Sequence, residues 1–544
     1  MRFFSLALCV LLLGSLAGVG VVAEEGHQHP AGDPEKLGTV SFPTLCAPAA
    51  QKQFQRGVAM LHSFWYEEAE RTFHDVAKAD PGCAMAYWGL AMSYFHPIWD
   101  GRGPDATVLK KGWEAVEKAK SLAPKTERER DYIAAIEAFY KDSEKLDHRT
   151  RVLAYESAME RVYTRYPEDR EAAAFYSLAL LGTVAASPVD KSLARQKKAG
   201  EIAEKVFAAE PNHPGAAHYI IHAYDYPPLA AKALPAARAY AKIAPDAPHA
   251  LHMPSHIFTR LGLWQESIES NLASARAAQK VGMAGEQLHA SDYLEYAYLQ
   301  TGQDEQAKKV LDQMTANKAG IPSYFAGVYA TATMPARYVI ETRRWSEAAK
   351  LEVPSASPGG KLSWAEGTVY YARALGSAHT GDIDGARRAI QKLEAAHSTL
   401  VELQETYWAG QVEIQRREAA GMLASAQGKK DEALELLRSA ADMEDASEKH
   451  PVTPGPVVPA RELLGEFLLA VDQPSEALLA FESTLQRSPN RFNALYGAAK
   501  AAQMAGRREK ARQYYSALVE VGSPVSSRPE LRTARSYLQE VARR

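Results

Sequence analysis

The residues of this chain best suited to chemistry are two pairs of histidines, His218 with His222 and His252 with His256. On a helix a spacing of four puts both imidazoles on one face, a turn apart. The second pair follows the first at an offset of 34 residues, the length of one helix–turn–helix repeat. Neutral imidazole is a ligand for Zn, Cu(II), Ni or Fe, and pairs without a thiolate do not choose among these ions. Two other readings stay open. The rings could form a wall that recognises acidic or aromatic residues of a peptide, or be a packing position duplicated with the repeat. A catalytic metal also needs an open coordination position and a proton-carrying group. Asp292, Glu295 and Tyr296 are candidates for the latter. The chain has no His-Glu-x-x-His, no Gly-x-Ser-x-Gly and no nucleotide-binding glycine loop. No catalytic residue is therefore assigned. The expectation is a binding protein, with a metal carrier or metal-dependent hydrolase-like enzyme as the alternative.

Helices must position these rings. Asn212 is a plausible cap and Pro214 suits the first turn of a helix carrying His218, His222 and, at its end, Asp225. Gly262-Leu263-Trp264 marks the end of the next first helix, with His249, His252, His256 and Arg260 on one side. Pro254 falls within its early turns, where a missing N–H costs little. Aligning Gly302 with Gly262 carries the wall onward to His289, Asp292 and Tyr296. Asp225 or Asp292 is expected to add a carboxylate or to orient an imidazole from behind.

Around this wall the chain reads as a helical array. Gly57, Tyr66, Ala69 and Phe73 alternate small and large positions, Pro81 ends the helix, and Tyr87, Leu90, Ala91 and Tyr94 continue in step. Small residues let paired helices approach, and large ones fill the space between them. Later joints share one grammar, a glycine followed by an acidic residue that opens the next helix, as in Gly302-Gln303-Asp304, Gly381-Asp382 and Gly428-Lys429-Lys430-Asp431. These motifs resemble the tetratricopeptide (TPR) repeat over roughly residues 50–522. The resemblance implies an all-α, right-handed α-solenoid of about ten helix pairs that binds a protein or peptide in its concave groove. His62-Ser63-Phe64-Trp65-Tyr66, His252-Met253-Pro254-Ser255-His256-Ile257-Phe258 and the Pro451–Pro459 run with Ala460-Arg461-Glu462 resemble a group of uncharacterised bacterial exported TPR proteins. That resemblance implies export and no mechanism. The expected division is a signal peptide at 1–23, a flexible segment at 24–49, a TPR pair at 50–126, a central array at 127–342, a C-terminal array at 343–522 and a capping helix at 523–544.

Composition sets the remaining bounds. With 46% hydrophobic and 24% charged residues the chain is a folded protein, not a disordered one. A net charge of −3, with no basic stripe, gives no reason to expect nucleic acid. Arg2, the apolar run Phe3–Leu13 and Ala23 read as a cleavable signal, and no later stretch is long and apolar enough for a membrane span. The protein is thus expected in the periplasm or outside the cell, where Cys46 and Cys83 could pair as a disulfide or remain two buried thiols. His62, Trp65, Trp88, His96 and Trp99 form a second, aromatic group, expected to be core. His27 and His29 lie on a short polar tail expected to be solvated. Pro451–Pro459, with four prolines, favours an extended path, either as an arm along the groove or as a surface loop.

Overall fold

In the computed structural model, which describes residues 35–98, 103–316, 325–353, 360 and 362–543, the chain runs almost entirely through antiparallel α-helices. First helices pack against their second helices and, in most pairs, against the first helix of the next pair, which makes the fold an all-α solenoid. The expected signal segment, the His27/His29 tail, Trp99 and the loop residues 354–359 lie outside the described residues. Among the described residues, no helix is long and apolar enough to cross a membrane.

Local rules account for the array. Asp105, Asp147, Asp169 and Asp382 cap helices through their carboxylates, and Thr126 with Glu129 forms a reciprocal capping box. The small–large alternation is an interlock. The Phe73 ring fills the space beside Gly57 and Gly89, and Phe481 fills the space beside Gly465 and Gly497, where any Cβ would collide with the ring. The same packing device thus recurs near both ends of the chain.

Three features differ from the sequence reading or sharpen it. The segment expected to be flexible over 24–49 is packed in its described part. Leu37, Val40 and Phe42 are buried, Phe42 lies 4.9 Å from Tyr132 by ring centroid, and the Thr39 N–H donates to the Asn212 carbonyl at 2.9 Å. Apolar side chains at those positions lose contact with water, and the backbone finds a partner. Cys46 and Cys83 are disulfide-bonded, with Cα atoms 4.8 Å apart. The proline-rich run is an inward arm. Val452, Thr453, Val457 and Val458 are all buried. We call residues 447–459 the strap.

The array also folds back on itself. Trp264 Nε1 donates to the Asn490 carbonyl at 2.8 Å, the Ser523 N–H donates to the Thr301 carbonyl at 2.8 Å, and Arg528 pairs with Asp304. Together with the strap, this closure encloses the wall expected to face an open groove.

Candidate metal centre

His218 and His222 lie on the helix Pro214–Tyr224. Its cap is His213 rather than Asn212, because the His213 Nδ1 accepts from the Ala216 N–H at 3.0 Å. His252 ends the short helix Pro248–His252, and Pro254 starts a new one that runs to Leu261 and carries His256. Pro254 therefore breaks the helix instead of riding within it, since proline cannot donate to the preceding turn. His289 lies on the helix Ala284–Gln300.

The four predicted histidines do not form one four-membered site. They divide into two triads, each completed by a residue of the expected wall: His218, His222 and His249, and His252, His256 and His289. Within each triad one ring nitrogen per residue lies within 4.8 Å of the others. His218 Nε2 and His222 Nε2 are 3.0 Å apart, and His252 Nε2 and His256 Nε2 are 3.1 Å apart. Two imidazoles on one tetrahedral ion with bonds of about 2.0–2.1 Å have nitrogens about 3.3 Å apart, close to both separations. The triads are neighbours, with ring centroids 6.2 Å apart for His249 and His252 and 6.4 Å for His222 and His256.

The outer nitrogens fix what the inner ones can do. His218 Nδ1 lies 2.7 Å from the His62 carbonyl, which only accepts, so Nδ1 carries the proton and Nε2 keeps its lone pair. His252 Nδ1 lies 2.7 Å from Asn271 Oδ1, and the Asn271 amide donates to the Ser267 carbonyl at 2.8 Å, which orients it. His256 Nδ1 lies 3.0 Å from Asp225 Oδ2 and 3.3 Å from the Tyr293 oxygen, whose own proton goes to the Thr453 carbonyl at 2.9 Å. Both His252 and His256 therefore carry their proton on Nδ1. Their Nε2 lone pairs converge at 3.1 Å with no proton between them. Burial keeps the rings neutral. It pushes His218, His222, His252 and His289 well below the usual imidazole range, helped by neighbouring imidazoles. His256 falls to about 4 through burial, although Asp225 opposes the shift. Burial alone would raise the Asp225 carboxyl, but Lys449 and Arg260 hold it well below the usual carboxylate range.

The other predicted wall residues divide by function. Asp225 backs His256, and Arg260 Nε grips Asp225 Oδ1 at 2.8 Å. His249 and His289 complete the triads. Asp292 does not support the histidines, contrary to the repeat alignment. Arg337 draws it away, with Nη1 2.7 Å from Asp292 Oδ1 and 2.8 Å from Glu295 Oε2. A buried guanidinium needs carboxylates more than a neutral imidazole does. Tyr296 likewise turns to Arg491, 3.0 Å away. The wall is interior: His218, His252, His256 and His289 are at most 2% exposed, and among the six histidines only His222 is partly accessible. The aromatic group of His62, Trp65 and Trp88 is core, with His62 bonded to Glu171 and Tyr219.

No protein-family model and no curated protein matches the chain. Among solved structures, one described as Naa15/Naa10 bound to HypK-THB matches 91% of this chain and 74% of that chain, at 13% identity and a TM-score of 0.23. A superposition that loose carries no argument about function.

Proposed function

We propose that the chain is an exported, TPR-like helical-repeat protein that binds two transition-metal ions side by side, one in each tri-histidine cluster. The observation that carries this reading is the pair of Nε2 lone pairs facing each other at 3.1 Å between His252 and His256, with both Nδ1 protons committed elsewhere. Two lone pairs at that distance repel unless a cation lies between them. The supporting shell fits the same reading. Carbonyl, amide and carboxylate acceptors behind ligating imidazoles orient the rings and raise their basicity. An all-imidazole donor set suits Zn, Cu, Ni or Fe. The disulfide supports the extracytoplasmic part of the reading, because such bonds persist in oxidising compartments.

Metal-stripped protein is loaded separately with Zn, Cu, Ni and Fe(II), desalted and assayed by elemental analysis. Two ions per chain are expected for at least one metal. His252→Ala/His289→Ala should hold one, and so should His218→Ala/His222→Ala. No retained ion with any of the four metals, or two ions retained in either double variant, would end this reading.

A partner-binding role on an outer face is the second reading, favoured by the repeat architecture alone. The wall over residues 215–300 is covered by the strap, so a partner would dock elsewhere. Pull-down from the exported fraction with strap-intact protein tests it, and no partner reproducibly enriched over a control would count against it.

A further inference from the structure

The strap forms one wall of a cavity of about 100 Å³ that the metal reading does not use. Pro454 to Pro459 line one side. Trp364, Tyr371 and Trp408 line another, with Trp364 and Trp408 stacked at 4.6 Å. Gln415, Glu418 and Glu444 are among the polar residues that line it. Glu418 is 2% exposed and has the Tyr371 hydroxyl beside its carboxyl group, yet neither Glu418 Oε1 nor Gln415 Oε1 has a partner at hydrogen-bonding geometry among the described residues. A buried acceptor left in that state is costly, more so for a charged group, unless a ligand or water satisfies it.

The cationic side chains around the cavity are committed to other anions. Arg260 and Lys449 both hold Asp225. Arg461 holds Asp442 and Asp445, and Arg487 holds Asp445. None of them forms an ion pair with Glu418 among the described residues. The cavity thus combines a buried carboxyl group with one unsatisfied oxygen, an unsatisfied amide oxygen and stacked aromatic walls. An aromatic face attracts a cation, and a carboxylate accepts charge-assisted hydrogen bonds from N–H donors.

We infer that this cavity is a binding site for a small organic ammonium ion, its N–H groups donating to Glu418 Oε1 and Gln415 Oε1 and its carbon body lying against Trp364, Tyr371 and Trp408. The choice of a protonated amine follows from the acceptors, which a quaternary ammonium ion could not satisfy. Burial pushes the Glu418 carboxyl well up, with Glu444 adding to the shift, and Glu444 itself rises to about 7. An incoming ammonium ion would place a positive charge beside both carboxyls. The site does not depend on metal.

Benzylammonium chloride is the probe, with n-butylammonium as the aliphatic control and benzyl alcohol as the neutral one. Each is titrated into metal-free protein at pH 8 and followed by calorimetry and tryptophan fluorescence. Saturable binding of benzylammonium is expected, with the alcohol at least about tenfold weaker, as the loss of one charge-assisted hydrogen bond implies. Glu418→Gln, which matches the protonated acid in shape, should weaken the amine about tenfold or more and leave the alcohol unchanged. Trp408→Leu should weaken benzylammonium more than butylammonium, and it carries the test if the Glu418 variant does not fold. No saturable binding of either amine, equal affinity for amine and alcohol, or unaltered amine affinity in a folded Glu418→Gln protein would overturn the inference.

Discussion

Asn271 shows how much one side chain behind a ligand decides. Its oxygen accepts the His252 Nδ1 proton at 2.7 Å, and its amide is anchored on the Ser267 carbonyl. That arrangement selects the tautomer in which Nε2 faces His256. Asn271→Leu keeps the approximate volume but removes the acceptor, so His252 gains freedom to flip or switch tautomer. Metal affinity at the second cluster should fall about 10–100-fold, the usual effect of losing such a partner, while two ions still bind at saturation. Competition with a chromophoric chelator measures this, and an unchanged affinity would show that the imidazoles are oriented by packing alone. The spacing of His218, His222, His252 and His256 was legible because helical periodicity converts sequence distance directly into a shared face. His249 and His289 followed from repeat alignment. Asn271 was invisible, since a single asparagine on a second helix stands out in no pattern. Asp292 was misread because alignment assigns it the face of its repeat equivalents, whereas Arg337, 45 residues away, decides where its carboxylate points.

At the scale of elements, the strap links the two candidate sites. Lys449 reaches Asp225 at 2.8 Å, and the Thr453 and Gly455 carbonyls accept from Tyr293 and Tyr329. Four prolines restrict the unfolded strap, so less conformational freedom is lost when it docks. The sequence suggested an extended path but not its destination, because contacts to Tyr293 and Tyr329 lie 160 and 126 residues away. His450 gives this element a pH dependence. It stacks on Phe325 at 4.7 Å and Trp408 at 5.6 Å, and burial, with Lys449 beside it, lowers it to about 3. A folded value below the unfolded one means that its contribution is complete above about pH 6.5 and is lost as pH falls toward 3. The slope for this one group is at most about 1.4 kcal/mol per pH unit. Denaturant titrations from pH 7 to 4 should show a falling midpoint together with a change in tryptophan emission. His450→Phe should reduce both, and an identical pH profile in that variant would remove His450 from the account. A second element-scale test is Gly262→Ala. Gly262 has φ +65°, and a Cβ there would meet the Pro489 carbonyl, so a loss of about 1–3 kcal/mol in denaturant unfolding is expected. A loss below about 0.5 kcal/mol would mean that this contact yields easily.

The closure of the whole array depends on a few buried charges that no repeat pattern announces. Periodicity reports how each helix packs on its neighbours, and in that respect the solenoid was readable from glycines and aromatics. Contacts such as Trp264 with Asn490, 226 residues apart, join loops whose sequences have no period. Arg491 is the clearest case. It opens the helix Phe492–Met504 and is fully buried. Its guanidinium bonds Glu462 twice at 2.8 Å, Glu341 at 2.5 Å and the Tyr296 hydroxyl at 3.0 Å, so it ties together three other helices. Both carboxylates are buried as well. Removing the cation leaves them repelling one another without water, a loss of about 3–5 kcal/mol for a broken buried pair. Arg491→Leu should therefore be strongly destabilising, whereas Arg491→Leu/Glu341→Leu/Glu462→Leu should recover a large part of the loss, because no uncompensated charge remains. Hydrogen exchange should locate the damage. Amides of Ala284–Gln300 and Phe492–Met504 should open first in Arg491→Leu, while the helices from Pro48 to Ala209 keep their protection. Uniformly faster exchange along the chain would mean that the array unfolds as a single unit and that Arg491 does not hold a local closure. A triple variant no more stable than the single one would show that the packing around this network, rather than its charge balance, holds the turns together.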